Sequence, residues 1–294
     1  MYDRILVPLD GSGPAEMALP YAIEIAARAG STLVLMSVCE TPGSETERLY
    51  RTYLEQARTR VISRLQEGDT EKHASVRTEV HSGKPADELL GYSEQYNAGL
   101  IIMASRGRSG KSEWPLGNIA AKMLRATRVP VLLIRTPAAE TAIRKKELIK
   151  KILLPLDGSR LGESALPAAE DLAELMGAEL GLLHVMQSMY PLTIMEGTML
   201  QKPVREDDET TRADAKAYLA AAAGRLRNKT LTLSTDVVSG QPADWIVKYA
   251  EFNQVDLIAM ATHGRSGIGR WAFGSVTDKV LHAGNMPVLV VRPK

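Results

Sequence analysis

The chain has 294 residues, room for two domains at about 150 residues each. Lys plus Arg number 36 against 35 Asp plus Glu, and a net charge of +1 excludes the field of a general nucleic-acid binder. The single cysteine, Cys39, excludes an internal disulfide and a multi-thiolate metal site, and no apolar run approaches the ~18 residues of a membrane-spanning helix.

Met1 to Ile5 leads straight into a strand-like run without the apolar stretch of a signal peptide, so the expected location is the cytoplasm. Ile5 to Leu9 reads as a first strand, closed by Pro8 and the Asp10-Gly11 turn signal. Residues 14–29 are Ala-rich at helical spacing, with Gly30 placed to end the helix. Thr32 to Val38 follows as a strand, and the charged, glycine-free stretch Glu45 to Gln66 as a solvent-facing helix. Ser75 to His81 alternates as a strand, and Pro85 to Tyr96 is a helix with proline in its first turn. Leu100 to Ala104, a helix over Gly117 to Ala126, and Val129 to Arg135 complete the first half. Strands are expected again near 151–156, 179–186, 231–238, 256–261 and 287–292. Strands alternating with helices predict a parallel sheet covered on both faces by right-handed crossovers.

The two halves are copies. Arg4 to Ser12 recurs as Lys151 to Ser159 with seven of nine positions identical, at an offset of 147. Ala18-Leu19-Pro20 recurs as Ala165-Leu166-Pro167 at the same offset. Met103 to Gly110 recurs as Met260 to Gly267 with six of eight identical, but at an offset of 157. Gly83-x-Pro85 and Gly240-x-Pro242 are also 157 apart, so ten residues enter the second copy between Val185 and Gly240. The predicted organisation is a domain over 1–138, a linker over 139–148 and a second domain over 149–294. The extra residues are expected in an apolar loop over 187–204, packed on its own domain, covered by a partner or serving as a ligand lid.

In such a sheet, ligands bind beyond the carboxyl ends of the strands where strand order reverses. Asp10-Gly11-Ser12 and Asp157-Gly158-Ser159 follow the first strand of each copy. The loops Gly107 to Gly117 and Gly264 to Gly274 follow the fourth strand and open a helix. Unpaired N–H groups and about +0.5 charge at a helix start suit a phosphate. Arg106, Arg108 and Lys111, and His263, Arg265 and Arg270, add positive charge. A solvated turn that needs glycine only for its dihedrals is the competing reading.

These motifs resemble the universal stress protein family across both halves. Its nucleotide-binding members carry Gly-x2-Gly-x9-Gly-(Ser/Thr) after the fourth strand. Here the pattern reads Ala104 to Gly107, nine residues, then Gly117-Asn118, and Ala261 to Gly264, nine residues, then Gly274-Ser275. Pro8 and Asp10, with Pro155 and Asp157, match the first-strand motif, and Val38 and Val185 match the valine closing the second strand. The resemblance implies two tandem doubly wound α/β domains, each a five-stranded parallel sheet flanked by helices. It also implies an adenine nucleotide in each, ATP first and ADP, AMP or cyclic AMP as alternatives, with Mg²⁺ as a companion. The implied contacts are Pro8, Asp10, Val38, Met103, Ala104, Gly107, Arg108, Gly117 and Asn118 in the first copy. In the second they are Pro155, Asp157, Val185, Met260, Ala261, Gly264, Arg265, Gly274, Ser275 and Val276. Pairing of the two halves through their last strands, and a homodimer of whole chains, are further implications.

The first motif glycine is alanine in both copies, which a φ > 0 requirement would forbid. Asn118 replaces the Ser/Thr of the motif, so the second site is expected to be the better one. Other motifs fail. Gly267 to Ala272 fits a dinucleotide fingerprint but does not follow a strand directly, and Gly110-Lys111-Ser112 lacks the P-loop glycine, having Ser105 in its place. No Gly-x-Ser-x-Gly elbow is present and the five histidines have no metal-ligand spacing. No base can be placed for catalysis, which favours a nucleotide-binding regulator over a dedicated enzyme, with slow ATP hydrolysis or autophosphorylation as a side activity. An interaction module with vestigial sites is the contrasting class.

Overall fold

The computed structural model describes residues 2–43, 45–67, 72–107, 116–135, 147–187, 192–195, 198–201, 209–264 and 273–293. The first half runs β1 (Arg4–Pro8), α1 (Gly13–Glu16), α2 (Leu19–Ala29), β2 (Thr32–Cys39), α3 (Glu45–Glu67), β3 (Ser75–Ser82), α4 (Pro85–Gln95), β4 (Leu100–Ala104), α5 (Asn118–Ala126) and β5 (Val131–Ile134). The second half opens with β6 (Lys151–Pro155), a 3₁₀ turn over Gly162–Ala165, α6 (Leu166–Met176) and β7 (Glu179–Met186). It continues with β8 (Leu192–Met195), β9 (Thr198–Gln201), α7 (Glu209–Gly224), β10 (Leu233–Ser239), α8 (Pro242–Phe252), β11 (Leu257–Ala261), α9 (Ser275–Ala283) and β12 (Val288–Val291).

Ten of the twelve strands described form one sheet in the order β10-β7-β6-β11-β12-β5-β4-β1-β2-β3, and β8 and β9 form a separate two-stranded sheet. Pairing is parallel within each half, and β5 meets β12 antiparallel, with Leu132 opposite Leu289. Successive residues of each strand feed opposite faces. Ile5, Val7, Leu100, Ile102, Leu257 and Ala259 join the core beneath α2, α3, α6 and α7. Leu6, Ile101, Met103, Ile258 and Met260 join the core beneath α4, α5, α8 and α9. Burial on both faces explains the near-continuous apolar runs. The sheet is thus the middle layer of three.

Where expectation and structure differ, local chemistry accounts for it. The helix expected over 14–29 is broken into α1 and α2, because Pro20 has no N–H to continue the first segment and instead sits in the first turn of α2. The copy has the same break, with Pro167 in the first turn of α6. β1 spans Arg4–Pro8 rather than reaching Leu9, and β5 is trimmed to Val131–Ile134. Within the loop expected over 187–204, Leu192–Met195 and Thr198–Gln201 pair antiparallel as β8 and β9, and residues 188–191, 196–197 and 202–204 lie outside the described residues. Of the linker expected over 139–148, residues 139–146 lie outside the described residues; Leu148 is buried, and its N–H donates to Glu24 Oε2 at 3.0 Å.

The insertion is also larger than the repeat offsets imply. Buried Leu54, Ala57 and Val61 on the long helix find their counterparts in Leu219, Ala222 and Leu226, at an offset of 165. Ion pairs confirm this register: Arg60 meets Glu16, and Arg225 meets Glu163, both at 2.8 Å. The offset climbs from 147 to 165 and falls to 157, so eighteen residues enter ahead of α7 and eight leave after it. End-of-motif counting saw only the net ten.

Leu289 is fully buried in the β12–β5 pair. Replacing it with alanine is expected to cost about 2–5 kcal/mol. Because its core cluster includes side chains from both halves, urea denaturation followed by circular dichroism should show one transition moved to lower urea. Two separated transitions, with only one of them moved, would contradict a shared core.

Candidate functional site

Strand order reverses between β1 and β4, and again between β6 and β11. Crossovers leave in opposite directions there, so a crevice opens at the carboxyl ends of those strands. In the first half it is a cavity of about 490 Å³ lined by Pro8, Asp10, Val38, Met103, Ala104, Gly107, Gly117 and Asn118, among others. In the second half a cavity of about 240 Å³ is lined by Pro155, Asp157, Val185, Met260, Ala261, Gly264, Gly274, Ser275 and Val276, among others. The structure thus brings together the sequence-derived candidates, except Arg108 and Arg265, which lie outside the described residues, as do Lys111 and Arg270.

Asp10 and Asp157, which line the two cavities, each open a tight Asp-Gly-Ser turn. Asp10 Oδ1 accepts from the Ser12 N–H at 3.0 Å and from Ser12 Oγ at 2.5 Å. Asp157 Oδ1 accepts from the Ser159 N–H at 3.0 Å and from Ser159 Oγ at 2.7 Å. The turn needs a left-handed residue after the aspartate, and Gly11 (φ +78°) and Gly158 (φ +84°) supply it. The other carboxylate oxygen, Oδ2, lies against the backbone of Gly107 or Gly264, where any Cβ would overlap it.

Gly107 and Gly264 are therefore needed for space. None of Gly107, Gly117, Gly264 and Gly274 has positive φ, which removes the reading that they serve only the dihedrals of a turn. A Cβ on Gly117 would sit 3.3 Å from the Ser105 carbonyl. The Gly117 N–H donates to that carbonyl at 2.7 Å, and Gly274 donates to Thr262 O at 2.8 Å. Ser105 and Thr262 in turn donate to Ile134 O and Val291 O, both at 2.8 Å, pinning each loop to the last strand of its half. Ala104 and Ala261 end their strands without positive φ, so a methyl group in place of the motif glycine meets no backbone conflict.

Helices α5 and α9 start at the cavities with Gly117 and Gly274 as caps, and neither start has a side-chain cap. Their first N–H groups can therefore serve an anion. Charge near these helix starts differs between the copies. Arg106 lines the first cavity, whereas its counterpart His263 lines the second, with Nδ1 3.0 Å from Thr262 Oγ1. Burial, with the Arg106 charge nearby, lowers the Arg135 pKa to about 10.

The sequence pattern of each half matches the family model for the universal stress protein family, over residues 1–135 and 148–292. The chain belongs to the universal stress protein family. A universal stress protein of Mycolicibacterium smegmatis is 28% identical over 303 residues, covering 99% of this chain and 97% of the relative. Universal stress protein YxiE of Bacillus subtilis is 31% identical over 148 residues, or 49% of this chain and 100% of the relative. Among solved structures, a universal stress protein from Archaeoglobus fulgidus covers 99% of both chains with a TM-score of 0.68 and 21% identity, a likeness of fold.

This universal stress protein also lines its cavities with residues that motif reading passed over. Tyr50 on α3, with Glu40, Thr41 and Thr46, walls the first cavity. The 165-residue register puts Ala215 at the position of Tyr50, so that position of the second half carries no ring. Pro85 and Leu89 of α4, and Pro242 and Ile246 of α8, form a side wall in each half. The repeated Gly-x-Pro was the available signal for them: it starts these helices beside the cavity. Nothing comparable marked Tyr50, which only the packing of α3 brings to the site.

The Asp157–Gly264 contact makes a specific demand. Gly264→Ala should destabilise the protein by roughly 1–3 kcal/mol through overpacking. Asp157→Ala in the same chain should recover much of that loss, because the group it strikes is then gone. A double-mutant cycle on thermal unfolding would show strong coupling; additive effects would mean that the contact is not what excludes a side chain.

Proposed function

We propose that this universal stress protein binds an adenine nucleotide, foremost ATP, in each of its two cavities and acts as a stress-response regulator or sensor. The supporting observation is one arrangement repeated at both crevices: an uncapped helix start, a glycine held against an aspartate, and an apolar wall. Phosphates would rest on the first turn of α5 or α9, near Gly117-Asn118 or Gly274-Ser275, with Arg108 and Arg265 as further phosphate contacts. Adenine and ribose would lie toward Asp10, Val38 and Met103, or toward Asp157, Val185 and Met260. The preference for an adenine nucleotide rests on the family resemblance of these positions.

Among the described residues there is no cluster of three metal-ligating side chains. A magnesium ion bound with the phosphates would have carboxylates of the cavity lining within the site, Asp10 in the first half and Asp157 in the second. Among the described residues lining the cavities no side chain is assigned the role of a base, and this reading favours binding and signalling over a dedicated enzyme. Among the described residues no helix is long and apolar enough to cross a membrane. Since β5 and β12 already pair within one chain, a homodimer of whole chains would have to use another surface.

Mass spectrometry of ligand released from freshly purified protein should find adenine nucleotide, and calorimetric titration with ATP should give two sites per chain. Gly107→Val should leave one. Asn118→Ser, which supplies the motif hydroxyl, should tighten the first site about tenfold, the value of a hydrogen bond to a charged group. Absence of both released and titratable nucleotide would favour a vestigial interaction module. Cyclic AMP binding in preference to ATP would instead favour a cyclic-nucleotide sensor.

A further inference from the structure

Two arginines cross the junction between the halves. Arg135, which follows β5, donates to the carbonyls of Leu281 and Gly284, and to His282 O at 3.4 Å, at the carboxyl end of α9. Arg292, which follows β12, donates to Arg125 O at 2.8 Å and Ala126 O at 3.1 Å, at the carboxyl end of α5. The two occupy equivalent places in the repeat, 157 apart. Each half thus grips the helix whose start lines the other half's cavity.

The last carbonyls of a helix have no partner within it, and a cation there complements the negative end of the helix dipole. An anion at the first turn complements the positive end. At 1.5 Å per residue, a nine-residue helix is about 13 Å long, short enough for both charges to act on one rigid element. The grips are unequal: Arg135 is 5% exposed and reaches three carbonyls, whereas Arg292 is exposed and reaches two.

We infer that Arg135 is a positioning residue for the second cavity and Arg292 for the first, each acting across the β5–β12 junction through the helix it grips. Nucleotide affinity in one half is then set partly by a residue of the other. Arg135 carries the stronger control. This rests on the phosphate-binding role proposed for α5 and α9, and links the two sites without requiring any residue to touch both ligands.

The experiment uses full-length chains carrying one silenced site. Gly107→Val leaves the second cavity to be titrated, and Gly264→Val leaves the first. Arg135→Gln should weaken ATP binding at the second site by about fivefold or more, within the usual range of coupling between sites. At the first site it should change affinity less than about twofold. Because Arg135 lies near Arg106, Arg135→Lys serves as the control that keeps the charge while losing the planar fork. It should restore any change at the first site and leave the second weakened. Arg292→Gln should show the opposite pattern, with a smaller effect, and as an exposed residue its loss is not expected to prevent folding.

Effects confined to each arginine's own half, or none at either site while ATP still binds, would overturn the inference. Hydrogen–deuterium exchange on nucleotide-free protein separates this from failure of the nucleotide reading. Faster exchange in α9 for Arg135→Gln, and in α5 for Arg292→Gln, is expected whether or not ATP binds. Unchanged exchange in those helices would reject the grip itself, while an unaltered chain that binds no nucleotide would reject the ligand.

Discussion

The antiparallel pairing of β5 with β12 is the constraint on which the rest of the molecule depends. Val131–Ile134 and Val288–Val291 are buried along their whole length. In an isolated half each would be an open edge of unpaired N–H and C=O groups backed by apolar side chains, a template for unwanted pairing. Joined, they occupy the middle of a ten-stranded sheet, and the edges become β3 and β10, which are shielded less and carry more polar residues. Each fully buried Leu, Ile or Val contributes about 1.5–3 kcal/mol, so the junction is worth more than its few backbone hydrogen bonds.

The same pairing positions the sites. The glycine loop of each half hangs from its last strand through the Ser105–Ile134 and Thr262–Val291 hydrogen bonds. The last strand is held by the other half. Helices α5 and α9 start at the cavities and end at the junction, where Arg292 and Arg135 meet their carbonyls. A cavity at a switch point would exist in either half alone; the far anchor of its helix would not.

The two halves diverged around this shared frame. Buried positions on the long helix keep their spacing despite eighteen residues added before it and eight lost after it. That tolerance is physical: loop length adds entropy cost only slowly, whereas moving Leu219 or Ala222 out of register would empty the core. Side chains facing the cavities were freer to change. Tyr50 against Ala215, Arg106 against His263 and Asn118 against Ser275 make the cavities chemically different on one backbone.

Much of this was legible in the residues themselves. Apolar runs between helical segments determined an α/β sheet buried on both faces, because strand and helix periods are local properties. The duplication was visible in Leu-Asp-Gly-Ser, and the glycine spacing after the fourth strand marked the loops, because a backbone that must approach a carboxylate closely has no substitute for glycine. Other features needed the folded chain. The sequence could not tell that Gly107 is glycine because of Asp10, nearly a hundred residues away. Nor could it show that Tyr50 reaches the first cavity, or that Arg135 serves a helix of the other half. Those are contacts between distant segments, and they exist only once the sheet has brought the segments together.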